Sequence, residues 1–275
     1  MNLLHPLRNF FVAVLCVILA ASVAQGQVIV AHRGASYDAP ENTIAAFKEA
    51  WAQGADGVEG DFYVTKDQQI VCIHDKDTKR TAGTNLVVAN STLDELRTLE
   101  YGSWKDARFK GEPIPTFADV MAVIPEGKLF VIELKTGPEI VPLLKAELDR
   151  LKPATANLLI IAFNRDTVVA VKKQLPAIRT HWLTGFKQDK ATGAWAPTAD
   201  DVAKTLQDTG ADGIGFQGRR EMVTAEFLNT LKQRGLREFH VWTLDEPQDA
   251  LFYKDLGAVG ITTNRPAFIR DSLKK

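Results

Sequence analysis

Short apolar runs alternate with amphipathic stretches from residue 27 to the end of the chain. The runs resemble buried parallel strands, and several of the amphipathic stretches end on a glycine, as helices commonly do. This alternation predicts an α/β fold with a parallel sheet. Eight runs qualify as strands, the number that closes a (β/α)₈ (TIM) barrel: residues 28–32, 57–62, 129–134, 157–163, 178–184, 212–216, 238–244 and 258–263. The clearest helical patterns cover residues 43–53, 140–151, 166–174, 224–234 and 247–256.

A further apolar run, residues 69–74, follows the second predicted strand after the short segment 65–68. A parallel crossover needs about a dozen residues or more, so these two runs predict an antiparallel β-hairpin. We expect this hairpin to bring His74 back to the end of the barrel where the second strand finishes.

Residues 76–115 have a different composition from the rest of the chain. They are richer in Thr, Gly, Asn and Lys, and they contain one short helical pattern at residues 93–99. They hold too few apolar residues for a core of their own. We interpret this segment as a small inserted cap over the active face of one barrel domain that spans residues 27–275.

The first 26 residues carry a different pattern again. Arg8 precedes an unbroken apolar run over residues 10–21, and small residues follow at positions 22–24. This order is typical of a secretory signal peptide, cleaved here after Ala24 or Gly26. The run is shorter than the roughly 18 residues that a membrane helix needs, and an uncleaved anchor is the alternative. We therefore expect export across the inner membrane to the periplasm, with no stable membrane span after cleavage.

Composition and charge narrow the classes of partner. Of the 275 residues, 45% are hydrophobic and 24% are charged, which is ordinary for a globular protein. The net charge of -1 becomes -2 when Arg8 leaves with the signal peptide, and this near-neutral balance argues against a nucleic-acid partner. Cys16 leaves as well, so Cys72 alone remains and no intramolecular disulfide can form. These patterns leave the oligomeric state open.

Three carboxylates mark the predicted ends of neighbouring strands. Glu59 and Asp61 are two residues apart on one strand, so both side chains point the same way, and Glu133 ends the next barrel strand. Carboxylates crowded together repel one another unless a cation compensates. Oxygen ligands favour one hard divalent ion, Ca²⁺ or Mg²⁺, with Mn²⁺ as a further candidate. Zinc is disfavoured, because the region offers no paired histidines at helical spacing and no pair of cysteines.

Two histidines and two cations follow the same strands. His32 ends the first apolar run and His74 ends the hairpin, and imidazoles at such positions can act as general base and general acid near neutral pH. Arg33 and Lys135 flank these residues and can neutralise phosphate oxygens, and an ordinary surface lysine is the alternative interpretation of Lys135. The pattern indicates phosphoryl chemistry on a small-molecule substrate.

At this point the chain resembles the glycerophosphodiester phosphodiesterase family. The matching segments occur in order and cover nearly all of the mature chain: residues 31–34 (AHRG), 40–43 (PENT), 54–61 (GADGVEGD), 65–67 (TKD), 74–75 (HD), 114–116 (IPT), 132–135 (IELK), 241–243 (VWT) and 263–266 (TNRP). The last segment departs from the usual Thr-Asp pattern because it contains Asn264. We expect that departure to affect local structure rather than chemistry.

The resemblance implies metal-dependent hydrolysis of glycerophosphodiesters to glycerol 3-phosphate and an alcohol. The roles that it implies for individual residues are metal coordination by Glu59, Asp61 and Glu133, acid/base catalysis by His32 and His74, phosphate contacts from Arg33 and Lys135, a position in the pocket for Trp242, and a site role for Glu41 in the first loop. Which histidine is the acid, and whether water or the substrate's own 2-hydroxyl attacks, stays open.

Two other functions are kept as alternatives. One is a lysophospholipase D-like enzyme of the same superfamily, for which residues 186–195 with Lys187 and Lys190 could supply an apolar entry surface. The other is a secreted phosphodiester-binding protein that has lost catalysis. A binding protein has no need of two paired histidines, which argues against the second alternative.

Overall fold

The computed structural model describes residues 27–274, and within them eight parallel strands form a closed barrel. The strands in chain order are β1 (Val28–His32), β2 (Gly57–Val64), β3 (Ile70–Cys72), β4 (Leu129–Leu134), β5 (Leu158–Ala162), β6 (Arg179–Thr184), β7 (Lys187–Gln188), β8 (Trp195–Ala196), β9 (Gly213–Gln217), β10 (Phe239–Trp242) and β11 (Gly260–Thr263). β3 is antiparallel to β2, and β7 and β8 form a small separate pair, so these three strands do not belong to the barrel.

Helices surround the barrel on its outside. They are α1 (Ile44–Ala52), α2 (Lys79–Ala82), α3 (Leu93–Leu96), α4 (Phe117–Met121), α5 (Ile140–Leu151), α6 (Arg165–Gln174), α7 (Ala199–Thr209), α8 (Ala225–Gln233), α9 (Pro247–Asp255) and α10 (Pro266–Leu273), with 3-10 turns at Val88–Asn90, Ala107–Phe109 and Thr155–Asn157. The main hydrophobic core lies between these helices and the outer face of the barrel.

The first strand closes the barrel. β1 pairs in parallel with β2, where His32 is opposite Glu59, and with β11, where Ala31 is opposite Thr263. The predicted (β/α)₈ barrel is therefore confirmed, and each of the eight predicted runs overlaps one barrel strand. Several runs extend beyond the ladder because apolar residues past a strand end also pack under loops. Leu244, for example, is buried two residues after β10 ends.

Two helices, α7 and α10, are not among the clearest helical patterns named from the sequence. α7 begins at a capping box in which the Thr198 hydroxyl accepts from the backbone N–H of Asp201, and the Asp201 carboxylate accepts from the backbone N–H of Thr198. α10 begins at Pro266, whose missing N–H costs nothing in a first turn. Capping residues thus mark where both helices begin.

The predicted hairpin is present, although β3 is shorter than the predicted run 69–74. Phe62 is opposite Cys72, and the backbone N–H of Ile73 donates to the carbonyl of Asp61 over 2.9 Å. This bond fixes the chain just before His74 at the level of Asp61. The hairpin thus returns His74 to the C-terminal end of the barrel.

The inserted cap has a small core after all, shared with the hairpin. The side chains in this cluster are Val71, Ile73, Val88, Leu96, Tyr101 and Ile114. One face of β3 supplies part of the cluster, which explains how a segment with few apolar residues stays folded. The Lys105 ammonium donates to the carbonyl of Ser36, and Arg108 donates to that of Asp38. These bonds tie the insertion to the loop after β1.

The interior of the barrel holds a buried pair of histidines. The Nδ1 atoms of His181 and His240 are 2.9 Å apart, their rings stack, and His181 Nε2 is 2.8 Å from the Glu238 carboxylate. Both histidines line a cavity of about 760 Å³ at the N-terminal end of the barrel, which is the end opposite the chemistry described below. Burial, reinforced by His181, lowers the pKa of His240 well below its ordinary value.

This buried pair predicts a loss of stability in mild acid. Below about pH 6.5 the unfolded chain binds a proton at His240 that the folded chain does not, so the free energy of unfolding falls as the pH falls. The slope approaches about 1.4 kcal/mol per pH unit for one full proton. Denaturant titrations between pH 7 and 5 should show a shallower slope for His240→Gln than for the unaltered chain. Parallel curves for the two proteins would contradict this explanation.

The predicted signal peptide, residues 1–26, lies outside the described residues. Across residues 27–274, no helix combines the length and apolar character that crossing a membrane requires.

Candidate active site

A compact cavity of about 140 Å³ lies at the C-terminal ends of the barrel strands, where barrel enzymes carry their chemistry. We call it the active-site cavity. One wall is charged or polar and consists of His32, Arg33, Glu59, His74, Glu133 and Lys135. The opposite wall combines the apolar side chains of Ile161, Phe163, Leu183 and Trp242 with the polar residues His240, Thr243 and Thr262. Eight of the nine residues proposed from the sequence for the site are therefore close together: seven line this cavity and Asp61 lies directly behind it.

The three predicted carboxylates converge at this cavity. Each of Glu59, Asp61 and Glu133 offers one oxygen, and these oxygens all lie within 4.8 Å of one another. Period-two alternation along β2 turns Glu59 and Asp61 to the same side, and Asp61 is directly opposite Glu133 on β4. All three residues are buried.

The pKa values of the three carboxylates shift in different directions. Burial, with Asp61 and Glu133 nearby, raises the pKa of Glu59 well above its ordinary value. Burial and Asp61 likewise raise the pKa of Glu133 to about 7. Asp61 is different, because Lys135 and Arg33 overcome the effect of burial and hold its pKa below the usual range. Without a cation, Glu59 and Glu133 therefore hold their protons more tightly than an ordinary glutamate, and the negative charge resides on Asp61.

These residues fit a divalent cation. Glu59 Oε1 is buried and has no hydrogen-bond partner, and Asp61 Oδ1 has only the Lys135 ammonium nearby, at 3.2 Å. An orphaned buried carboxylate oxygen is costly unless a ligand takes it. An all-oxygen donor set favours a hard ion such as Ca²⁺ or Mg²⁺ over zinc.

Arg33 is held by a strained turn at the end of β1. Its φ of 58° lies in the left-handed region, which residues other than glycine rarely adopt. Gly34 follows with φ of 79°, and a Cβ there would lie 2.5 Å from the backbone of Ala46, so only glycine fits. In this turn the backbone N–H of Arg33 donates to Glu59 Oε2 over 2.9 Å. The guanidinium Nε of Arg33 lies 3.2 Å from Asp61 Oδ2.

Lys135 is not a surface lysine. Its side chain is 13% exposed, and its ammonium lies 2.7 Å from Glu133 Oε1 and 3.2 Å from Asp61 Oδ1. Those carboxylates raise the pKa of Lys135 in spite of its burial. With Arg33, it supplies the second positive charge at the mouth of the carboxylate cluster.

His32 is oriented by a relay at the end of β11. Its Nδ1 is 2.8 Å from Asn264 Oδ1, while Asn264 Nδ2 donates to Asp245 over 2.6 Å. The second bond fixes the amide so that its oxygen faces His32, and Nδ1 must therefore carry the ring proton. Burial, then Arg33, lowers the pKa of His32 to about 4. Asn264 thus takes part in the site, contrary to the expectation that it affects only local structure.

His74 has a different partner. Its Nδ1 is 2.7 Å from the Asp75 carboxylate, which favours a proton on Nδ1. His32 is thus paired with a neutral amide and His74 with a carboxylate. This asymmetry distinguishes the two rings chemically, which the sequence pattern could not do.

Glu41 does not line the active-site cavity. Its carboxylate accepts hydrogen bonds from Arg33 over 3.0 Å and from both terminal nitrogens of Arg80 over 2.8 Å. Asn42, which sequence reasoning did not single out, donates to Asp61 Oδ2 over 2.8 Å and adopts φ of 58°. Asparagine tolerates that conformation, so its place after Glu41 in the first loop was a usable signal. Arg80 had no local signal, because its partner Glu41 is far away in sequence.

Trp242 lines the cavity as the resemblance implied. Its ring packs edge-on against Phe163, which is 46% exposed, with their centroids 5.5 Å apart. Phe163 was not predicted as a site residue. The loop 186–195 does not supply the apolar entry surface considered for a lipid substrate, because Phe186 is buried against Phe216 and Phe227.

The amino-acid sequence is similar to those of known proteins. Residues 32–268 match the sequence model of the glycerophosphoryl diester phosphodiesterase family. A glycerophosphodiester phosphodiesterase of Caldanaerobacter subterraneus subsp. tengcongensis is 31% identical over 252 residues, covering 90% of this chain and 98% of the relative.

Solved structures show the same fold. An Oleispira antarctica phosphodiesterase, determined with its product sn-glycerol-3-phosphate, aligns with a TM-score of 0.77 at 25% identity, covering 90% of this chain and 96% of the other. A glycerophosphodiester phosphodiesterase of Agrobacterium tumefaciens strain C58 aligns with a TM-score of 0.72 at 25% identity, over 89% and 99% of the two chains. This chain belongs to the glycerophosphoryl diester phosphodiesterase family.

Proposed function

We propose how this enzyme, a glycerophosphodiester phosphodiesterase, hydrolyses its substrate. Glu59, Asp61 and Glu133 hold one divalent cation, Arg33 and Lys135 bind the phosphodiester, and His32 and His74 move the protons. The products are glycerol 3-phosphate and a free alcohol. The observation that carries the proposal is the buried, converging set of three carboxylates with an orphaned oxygen on Glu59.

Charge balance at the cavity supports this assignment. When fully ionised, the three carboxylates against Arg33 and Lys135 leave one net negative charge, which would repel a phosphodiester anion. A divalent cation reverses the balance to one net positive charge, which matches the single negative charge of the substrate. When bound, the cation acts as a Lewis acid that stabilises negative charge developing on the phosphoryl oxygens.

The protein's own cations orient the phosphate. Arg33 presents a planar guanidinium suited to two phosphate oxygens, and Lys135 adds a point charge on the β4 side. Both already point at carboxylates of the cluster, at 3.2 Å from Asp61 in each case. With a cation held by these carboxylates, Arg33 and Lys135 would be free to contact the substrate.

The hydrogen-bond partners assign the proton transfers. The proton on His32 Nδ1 is committed to Asn264, so Nε2 carries the lone pair, and His32 serves as the general base that accepts a proton from the attacking hydroxyl. Asp75 stabilises a protonated His74, which serves as the general acid and gives its proton to the departing alcohol oxygen.

The cavity favours this activity over the alternatives. The charged wall of the cavity matches the glycerophosphate group of such a substrate, and Phe186 of the loop 186–195 is buried and offers no apolar surface for a lyso-lipid chain. Two histidines with distinct partners are superfluous in a protein that only binds phosphodiesters.

A substrate comparison tests the proposed function. The mature protein should hydrolyse glycerophosphocholine and glycerophosphoethanolamine at least about tenfold faster than lysophosphatidylcholine, measured as kcat/KM, because Phe186 of the loop 186–195 is buried and offers no apolar surface to an acyl chain. Release of choline and of glycerol 3-phosphate is followed by coupled enzymatic assays. Faster cleavage of lysophosphatidylcholine would favour the lipid-directed alternative, and tight binding with no turnover of any diester would favour the binding protein.

A further inference from the structure

We propose that Arg80, from the inserted cap, is a positioning residue that sets the geometry of the active-site cavity. It contacts neither the carboxylate cluster nor the cavity itself. It lies behind the cavity, on the short helix α2, and joins two segments that each present a residue proposed to act on the substrate.

All three guanidinium nitrogens of Arg80 donate hydrogen bonds to carboxylates. Its two terminal nitrogens donate to the two oxygens of Glu41, each over 2.8 Å, and its Nε donates to Asp75 Oδ2 over 2.6 Å. Glu41 in turn accepts from Arg33, and the other oxygen of Asp75 is 2.7 Å from His74 Nδ1. A continuous chain of charged hydrogen bonds therefore runs from Arg33 to His74 through Arg80.

This chain of hydrogen bonds requires the planar shape of a guanidinium group. A planar guanidinium can bind one carboxylate with two nitrogens while a third nitrogen binds another, and a lysine ammonium cannot hold both carboxylates in that arrangement. Glu41 comes from the loop after β1 and Asp75 from the end of the hairpin. Arg80 thus fixes the distance between two loops that are far apart in sequence.

Charge balance gives Arg80 a second effect. Glu41 is shared by two arginines, so it neutralises only part of the charge on Arg33, and the remainder is available to a phosphate. Without Arg80, Glu41 would pair with Arg33 alone and weaken its attraction for substrate. Asp75 would also lose the contact that holds it against His74. We therefore expect a change at residue 80 to raise KM and to lower kcat together.

This inference rests on the proposed roles of Arg33 and His74. The test compares Arg80→Ala, Arg80→Lys and His74→Ala with a matched control, Arg97→Ala. Arg97 also comes from the insertion, its side chain is 42% exposed against 43% for Arg80, and its 2.8 Å ion pair with Asp119 has no connection to the cavity. Half-exposed ion pairs of this kind contribute little to stability, so the melting temperatures should stay close to that of the unaltered chain.

The expected result for Arg80→Ala is a loss of about 10- to 100-fold in kcat/KM, as for other partners that orient site residues. Arg80→Lys should be intermediate and Arg97→Ala unchanged. Added guanidinium, at a concentration that does not denature the protein, should partly restore Arg80→Ala by occupying the vacated fork, and should lower its KM. A purely structural defect would reduce the active fraction without changing KM and would not respond to guanidinium.

Two results would overturn the inference about Arg80. One is activity of Arg80→Ala within about twofold of the unaltered chain, and the other is a loss without guanidinium rescue. The His74→Ala variant separates this failure from that of the proposed function. If His74→Ala stays active, the proposed acid role is wrong whatever Arg80 does. If His74→Ala is inactive while Arg80→Ala is fully active, only the inference about Arg80 fails.

Discussion

Replacing Glu59 by glutamine is expected to lower kcat/KM at least about 10³-fold, because the cation that stabilises charge at phosphorus would lose a ligand. Glutamine keeps the size of the side chain and removes its charge. The same change should leave the melting temperature of the cation-free protein equal or higher, since it removes a buried carboxylate repelled by Asp61 and Glu133. Activity and stability would then move in opposite directions.

Cation binding supplies the second readout for this variant. Titration calorimetry with Mn²⁺ or Ca²⁺ should give one site on the unaltered chain and a weakened or undetectable site on Glu59→Gln. The control is Glu147→Gln, which removes a carboxylate that pairs only with Arg150 on α5. Unchanged cation affinity together with near-normal turnover in Glu59→Gln would show that the carboxylate cluster is not the metal site.

Replacing His32 or His74, the two histidines proposed to be catalytic, by alanine is expected to lower kcat about 10²- to 10⁴-fold on glycerophosphocholine, the usual contribution of general acid or base catalysis. The two losses should combine less than multiplicatively in the double variant, since both residues act in one transition state. His32→Ala removes the ring paired with Asn264, and His74→Ala removes the ring paired with Asp75. Both should retain cation binding, because neither histidine belongs to the carboxylate cluster.

A substrate with a good leaving group separates the two roles. A p-nitrophenyl phosphodiester releases a phenolate that needs no protonation, so His74→Ala should recover most of its activity on that substrate. His32→Ala should remain slow, because the attacking hydroxyl still has to lose its proton. The opposite pattern would exchange the roles of the two histidines, and equal losses on both substrates would argue against acid catalysis by His74.

The parts of the fold that follow from local periodicity were predictable. Buried parallel strands show as continuous apolar runs, so all eight barrel strands were predicted to within a few residues. Period-two alternation placed Glu59 and Asp61 on one side of β2, and adjacency of parallel strands brought Glu133 beside them. The short segment between β2 and β3 required an antiparallel return, which brought His74 to the same end of the barrel.

The parts that depend on contacts between distant segments were not predictable from the same patterns. Arg80 acts through Glu41, and His32 acts with Asn264, whose carbonyl orientation is set by Asp245. No spacing rule on a strand or helix encodes such pairs. The roles proposed for the two histidines rest on these hydrogen-bond partners, so the roles could be assigned only once the three-dimensional arrangement was known.

The contacts of Arg80 also give the inserted segment, residues 76–115, a structural role in the active site. From composition it is a cap, but the Arg80 contacts make it a structural part of the site that links the first loop to the end of the hairpin. Its small core with β3 anchors α2 firmly enough to hold that link.

The central claim is that the carboxylate cluster, loaded with a divalent cation, directs hydrolysis of glycerophosphodiesters to glycerol 3-phosphate. The most direct measurement is a ³¹P NMR time course of glycerophosphocholine with the mature protein, first treated with chelator and then restored with Ca²⁺, Mg²⁺ or Mn²⁺ in turn. The predicted result is an unchanged diester signal in chelator and conversion to glycerol 3-phosphate with at least one of the ions. Equal turnover in chelator, or phosphocholine as the product, would contradict the claim.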